Sequence, residues 1–180
     1  MPSDATLTAD ELLQLNIPDR RTELVRGRLV VREPGGYRHG EVTAAIAHAL
    51  VAYVRPRDLG RVLGAETGFV LATDPDTVRA PDAAFIRRER APDPPPAGYA
   101  DIAPDLAIEV LSPGDRPAEV LAKVADWLSA GTTLVWVVNP GRREARVYRG
   151  DGTEAMVAPD GALDGEDVLP GFTAPLALLL

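Results

Sequence analysis

Residues 105–111, Asp-Leu-Ala-Ile-Glu-Val-Leu, constrain this chain more than any other stretch. The run suits a central strand, yet it carries a carboxylate inside it. Side chains alternate between faces along a strand. Leu106, Ile108 and Val110 therefore share one face, and Ala107, Glu109 and Leu111 share the other. An unpaired ion in an apolar layer is costly. Glu109 thus calls for a cation or a metal ion beside it. The plainer alternative places it at a strand end, paired with an arginine.

The segments around this strand set the fold class. PAEVLAKVADWLSAG, residues 117–131, reads as a helix whose apolar stripe is Val120, Val124, Trp127 and Leu128, with Gly131 as its C-cap. LVWVV, residues 134–138, reads as a buried strand of β-branched and aromatic residues. Upstream, Thr8 and Glu11 have the spacing of a capping box. Arg26-Gly27 divides TELVRGRLVV into a tight hairpin. Apolar positions repeat at helical spacing from Gly40 to about Val54, and Pro56 is expected to end that helix. GFVLA and AAFI are expected as short strands, with TDPDTV between them as a turn. APDPPPAGYADIAP is expected as a surface loop inside one domain. ARVYR is the last clear strand; a weak hairpin and a final turn at LALLL follow. This order predicts an α/β (α+β) architecture, a mixed β-sheet flanked by helices. It is expected to form a single domain over residues 1–180, with an acidic extension from about 151 to 180.

Asp82 is the second candidate carboxylate. Pro-Asp by itself carries little information, since it recurs at Pro18-Asp19, Pro75-Asp76, Pro104-Asp105 and Pro159-Asp160. Pro81-Asp82 differs in opening an apolar strand ahead of the strand that bears Glu109. Neighbouring strands can bring both carboxylates to one point, and such a pair suits Mg²⁺. Lys123 is the third candidate. It falls at the edge of the helix stripe beside Trp127, where a lysine can lay its stem on the core. Of 19 basic residues, 18 are Arg and Lys123 alone is Lys. A lone lysine points to a need for a compact point charge. The alternative is a surface lysine pairing with Glu119, four residues earlier. Glu23 and His39 are accessory candidates. Their alternatives are a strand-edge acid and a helix-start histidine. His48 has no comparable context.

Composition limits the function classes. With no cysteine, a disulfide framework and a thiolate zinc site are excluded, and a reducing cytoplasm is compatible. The N-terminus shows neither a basic region nor an apolar run, so no leader is expected. No apolar stretch is long enough for a membrane span. The net charge of −8 argues against a nucleic-acid partner at first sight. Yet Asp151, Glu154, Asp160, Asp164, Glu166 and Asp167 concentrate much of it in the tail. Arginines cluster at 79, 87, 88 and 90 and at 142, 143, 146 and 149, and such clusters are expected either to hold phosphates or simply to face water. No P-loop or serine elbow is present, and 5% aromatic residues offer little to a sugar-binding site.

Taken together, VRAPDAAFI, PDLAIEVLSP, KVADWLSAG and LVWVVNP, in that order, resemble the Uma-type family of restriction-endonuclease-like proteins within the PD-(D/E)xK nuclease superfamily. ELVRGRLVV and YRHGEV match in position and character, so the likeness runs from about Thr8 to Arg149. The resemblance implies a mixed sheet with flanking helices, with Asp82 and Glu109 as ligands of a divalent metal, Mg²⁺ or Mn²⁺. In the parent motif the lysine stands two residues after the acid, a position held here by Leu111. Lys123 matches relatives in which the lysine has moved to the next helix. The implied activity is metal-dependent hydrolysis of phosphodiester bonds in DNA by an endonuclease, with catalytic residues Asp82, Glu109 and Lys123. A homodimer fits a double-strand cut. The competing class is a catalytically silent or regulatory binding module that keeps the fold.

Overall fold

The computed structural model describes residues 6–15 and 17–180. The leaderless reading of the N-terminus rests partly on residues outside that range. Thr8 and Glu11 form the expected capping box on helix α1 (Ala9–Gln14): Glu11 N donates to Thr8 Oγ1 at 3.3 Å, and Thr8 N donates to Glu11 Oε2 at 2.8 Å. Strands β1 (Arg21–Val25) and β2 (Arg28–Arg32) form the hairpin, with Arg26 and Gly27 at φ 50° and 74°. Two positive φ values give the turn whose twist matches the strands.

Helix α2 (Tyr37–Arg57) begins before Gly40 and runs through Pro56, which corrects both expected ends. Pro56 lies in the last turn, so its missing N–H costs one bond at an end already closing. Asp58, at φ 51°, caps it in the left-handed conformation. Four short strands follow: β3 (Gly60–Leu63), β4 (Phe69–Ala72), β5 (Thr77–Arg79) and β6 (Ala83–Arg87). Strand β5 occupies the end of TDPDTV, expected as turn. All three of its residues are buried, Arg79 included, so it shows no alternation to read. Then come β7 (Leu106–Val110), α3 (Pro117–Ser129) and β8 (Leu134–Asn139), as the sequence predicts. Gly131 follows α3 at φ 99°. The chain ends with β9 (Glu144–Arg149), β10 (Glu154–Val157), β11 (Ala162–Asp164), β12 (Thr173–Pro175) and α4 (Leu176–Leu179).

A six-stranded mixed sheet runs in the order β10-β9-β8-β7-β6-β3, with β7 and β8 parallel and the other neighbours antiparallel. The α3 crossover accounts for that parallel pair. A four-stranded sheet runs β2-β1-β5-β4, and β11 pairs with β12. Alternation along β7 sends Leu106, Ile108 and Val110 to one face of the large sheet, where Val42, Ile46, Leu50 and Val54 of α2 cover them. Ala107 faces the other way, against Val124 and Trp127 of α3.

Residues 151–180 are acidic outside and apolar inside. Leu163, Val168, Leu169, Phe172, Leu176 and Leu179 are buried in the α2-side core. Phe172 stacks on Trp136 with centroids 5.9 Å apart. Arg149 donates to Glu166 at 2.7–2.9 Å and ties this segment to the sheet.

The link that matters for function is Ala80-Pro81-Asp82. Here the chain leaves β5 in the small sheet and enters β6 in the large one. Asp82 N donates to Ile108 O at 2.9 Å, which fixes Asp82 against β7 just before Glu109. Among the described residues no helix is long and apolar enough to cross a membrane. Truncating Phe172 to Ala should cost about 3–5 kcal/mol in urea denaturation, the usual range for a buried aromatic; a loss below about 1 kcal/mol would mean that the C-terminal residues pack only loosely.

Candidate active site

The junction of the two sheets gathers ionic side chains from five segments. Glu23 comes from β1, Arg79 from β5, Asp82 from the link just before β6, Glu109 from β7, and Lys123 from α3. Asp82, Glu23 and Glu109 are 3%, 4% and 8% exposed, so all three carboxylates are buried. They line a cleft of about 590 Å³, together with Arg21, His39, Ser112 and Lys123. The structure thus brings together every site residue singled out from the sequence.

Lys123 sits at the centre. Its Nζ donates to Glu109 Oε2 and to the carbonyl of Ala80, each at 2.9 Å, and lies 2.9 Å from Glu23 Oε1. An ammonium has three donors, and all three are engaged. Glu119, the alternative partner, instead pairs with Arg32 and Arg116. Trp127, one turn beyond Lys123, donates its indole N–H to Glu109 Oε1 at 2.8 Å. Both Glu109 oxygens are therefore oriented from the same helix.

Asp82 is held from three sides. Val110 N donates to Oδ2 at 2.7 Å, Arg21 Nη2 donates to Oδ1 at 2.9 Å, and His39 Nε2 lies 3.1 Å from Oδ1. The other ring nitrogen of His39 lies 3.4 Å from Ser112 Oγ, a weak contact. His39 belongs to the first turn of α2, so the helix that covers one sheet face also delivers this ring. His48, farther along α2, is exposed.

Glu23 receives Ala80 N at 2.9 Å and Arg79 Nη1 at 3.0 Å. Arg79 turns its other edge to Asp126 on α3, at 2.6 and 2.9 Å. For Arg79 this overturns the expectation of a phosphate contact or a solvent-facing side chain. Arg79 is an internal cation. Arg87 and Arg90 hold Asp105, Arg87 also donates to the Asp167 carbonyl at 2.8 Å, and Arg88 pairs with Asp58. In the second cluster, Arg142, Arg146 and Arg149 pair with Glu144, Glu154 and Glu166. The cleft's own arginines are Arg20, Arg21 and Arg32, from the β1–β2 hairpin and its approach.

Protonation follows from these partners. Burial pushes the Glu109 carboxyl up; Lys123 opposes this, while Asp82 and Glu23 add to it, and the outcome is about 7. Burial also pushes on Asp82, but its hydrogen bond to His39, the charge on His39, the Val110 N–H and Arg21 outweigh it, and the carboxyl lies below its ordinary range. Glu23 is lowered as well, because Lys123 and Arg79 overcome its burial. The hydrogen bond to Asp82 raises His39 against the effect of burial. Lys123 is raised despite its burial, by Glu109 and Glu23.

At Glu109, burial and the two neighbouring carboxylates thus outweigh the charge of Lys123. The oxygens of Glu109 and those of Asp82 are hard donors, the type that Mg²⁺ and Mn²⁺ favour. Among the described residues no three His, Asp or Glu side chains are grouped as a complete metal cage. Two carboxylates completed by water match the way Mg²⁺ is usually held.

The family described as "Uma2: Putative restriction endonuclease" matches residues 9–178, and the chain belongs to that family. A crystal structure of a putative nuclease belonging to DUF820 from Anabaena variabilis superposes with a TM-score of 0.83 at 22% identity, covering 97% of this chain and 99% of that one. That likeness shows the fold. No curated protein matches the chain.

The raised Glu109 carboxyl has a consequence for stability without metal. The native state holds this proton more tightly than the unfolded chain does. Its contribution is therefore fully present below the ordinary pKa of 4.5 and is lost as pH rises through about 7. Thermal unfolding in a chelator from pH 5 to 8 should show this decline, and Glu109→Gln should flatten it. An equally steep decline in the variant would assign the effect to another group.

Proposed function

We propose that this protein is a metal-dependent endonuclease that hydrolyses phosphodiester bonds in DNA, with Asp82 and Glu109 as ligands of Mg²⁺ or Mn²⁺ and Lys123 as the third catalytic residue. The single observation that carries this reading is Glu109, a buried carboxylate on a central strand, beside Asp82 and bonded to Lys123 at the floor of a cleft. A bound divalent ion would polarise a phosphoryl oxygen and lower the pKa of its water. The chain's own residues do the rest. Trp127 and Lys123 hold Glu109 in one orientation, and Val110 N and His39 hold Asp82. Lys123 places positive charge where negative charge develops in phosphoryl transfer. Its ammonium reaches a water or a phosphate oxygen by releasing one of its three present partners. Glu23, braced by Arg79, keeps the ammonium in place when it does so. We also infer that residues 1–180 act as one domain, since the C-terminal residues complete the core under α2.

One observation favours a second reading, a silent module that binds without cutting. Both Asp82 oxygens are already hydrogen-bonded, as are both Glu109 oxygens. Cleavage assays separate the two. Purified protein with supercoiled plasmid and Mn²⁺ or Mg²⁺ should nick or linearise it. Asp82→Asn, Glu109→Gln and Lys123→Met should each slow cleavage roughly 100-fold or more, the scale of losing one preorganised charge. No cleavage by wild type favours the silent module, and equal cleavage by the variants overturns the assignment of these three residues.

A further inference from the structure

The cleft holds a cation that the cluster described above engages through only one of its hydrogen-bond donors. Arg21 stands at the first position of β1, two residues before Glu23, and its side chain is 22% exposed. Among the described residues it makes one hydrogen bond, from Nη2 to Asp82 Oδ1 at 2.9 Å. A guanidinium carries five N–H donors in a planar fork. Most of that fork therefore stays open on the cleft wall. The neighbouring arginines differ. Arg20 is paired with Glu33 at 2.6 Å and Arg32 with Glu119 at 3.2 Å, both on the rim. Asp82 keeps two other hydrogen-bond partners, Val110 N–H and His39, so it is not left bare when Arg21 turns away.

We propose that Arg21 is a phosphate ligand of the cleft, a guanidinium that neutralises Asp82 in the empty site and transfers to a backbone phosphate of the bound nucleic acid. The inference rests on the nuclease reading and adds a substrate contact to it. Its physical basis is a balance of anions. The cleft is lined by Glu23, Glu33, Glu66, Asp82, Glu109, Asp115 and Glu119, and such a surface repels a polyanion. A planar fork beside those carboxylates matches a phosphate's oxygens. A divalent ion on Asp82 would displace the guanidinium by like-charge repulsion and free it for that phosphate. Arg21 and the metal therefore compete for Asp82, whereas Arg21 and phosphate bind in concert.

The two relations predict opposite effects of one substitution. Arg21→Gln should bind a fluorescein-labelled duplex oligonucleotide in Ca²⁺ about tenfold or more weakly than wild type, as for loss of a charge-assisted hydrogen bond. The slope of log affinity against log salt should become shallower by roughly 0.9, the value for one phosphate contact on duplex DNA. Without DNA, calorimetry should show Mn²⁺ binding to Arg21→Gln roughly two- to fivefold more tightly, the scale of a part-exposed ion pair. Arg21→Lys keeps the charge and loses the fork, and should recover part of the DNA affinity. Thermal unfolding of both variants checks that they fold; if Arg21→Gln does not, full wild-type affinity in Arg21→Lys overturns the proposal. Wild-type DNA affinity and salt slope in Arg21→Gln overturn it alone and leave the nuclease reading standing. A wild type that binds no DNA overturns both.

Discussion

A single ammonium joins the two sheets of this protein. Lys123 reaches from α3, on one face of the large sheet, to Glu109 in that sheet and to Glu23 in the small one. Its third hydrogen bond goes to Ala80, on the strand-to-strand link itself. Three buried carboxylates at one point would repel each other and favour protonation. Lys123 offsets part of that repulsion, and Arg79 and Arg21 offset more. Glu109 is buried, and that burial, with Asp82 and Glu23 beside it, outweighs Lys123 and pushes its carboxyl alone up to about 7.

That imbalance ties architecture to chemistry. The parallel β7–α3–β8 unit delivers Glu109, Lys123 and Trp127 as one block. The β5–β6 link delivers Asp82, and the long α2 delivers His39. Removing a partner from such a buried network leaves an uncompensated charge. The same network holds the carboxylates in fixed orientations, as a preorganised metal site requires. It also explains the many arginines. Nearly every member of the two sequence clusters has a carboxylate partner, and Arg87 and Arg149 tie the C-terminal segment to the sheet.

Much of this was readable in advance, for physical reasons. Glu109 stood out because a charge inside an apolar strand needs a partner wherever the strand sits. Lys123 stood out as the one lysine in an arginine-rich chain, and its helical phase beside Trp127 was correct. Val110, Ile108 and Leu106 fell on the expected face because the strand period is fixed. Strands β3 and β5 were not readable. The first has no alternation of burial, and the second is three buried residues with an arginine among them. The roles of Arg21, Arg79 and Asp126 were also hidden. Nothing in one sequence distinguishes a buried arginine from seventeen others, since the distinction lies in long-range pairing. Arg79 meets Glu23 across 56 positions and Asp126 across 47. Ser112, which directly follows the Glu109 strand and approaches His39, reads from sequence as no more than a residue turning the chain out of that strand.

The central claim is that the Glu109–Asp82 pair is short of one divalent cation. Crystals grown with Mn²⁺ and measured at its anomalous edge test this directly. A single strong peak bound by Asp82 and Glu109, at oxygen distances of about 2.0–2.3 Å as for hard divalent ions, is the predicted result, with Lys123 still within hydrogen-bonding distance of Glu109. No peak at saturating Mn²⁺, or a peak that avoids both carboxylates, would contradict the account.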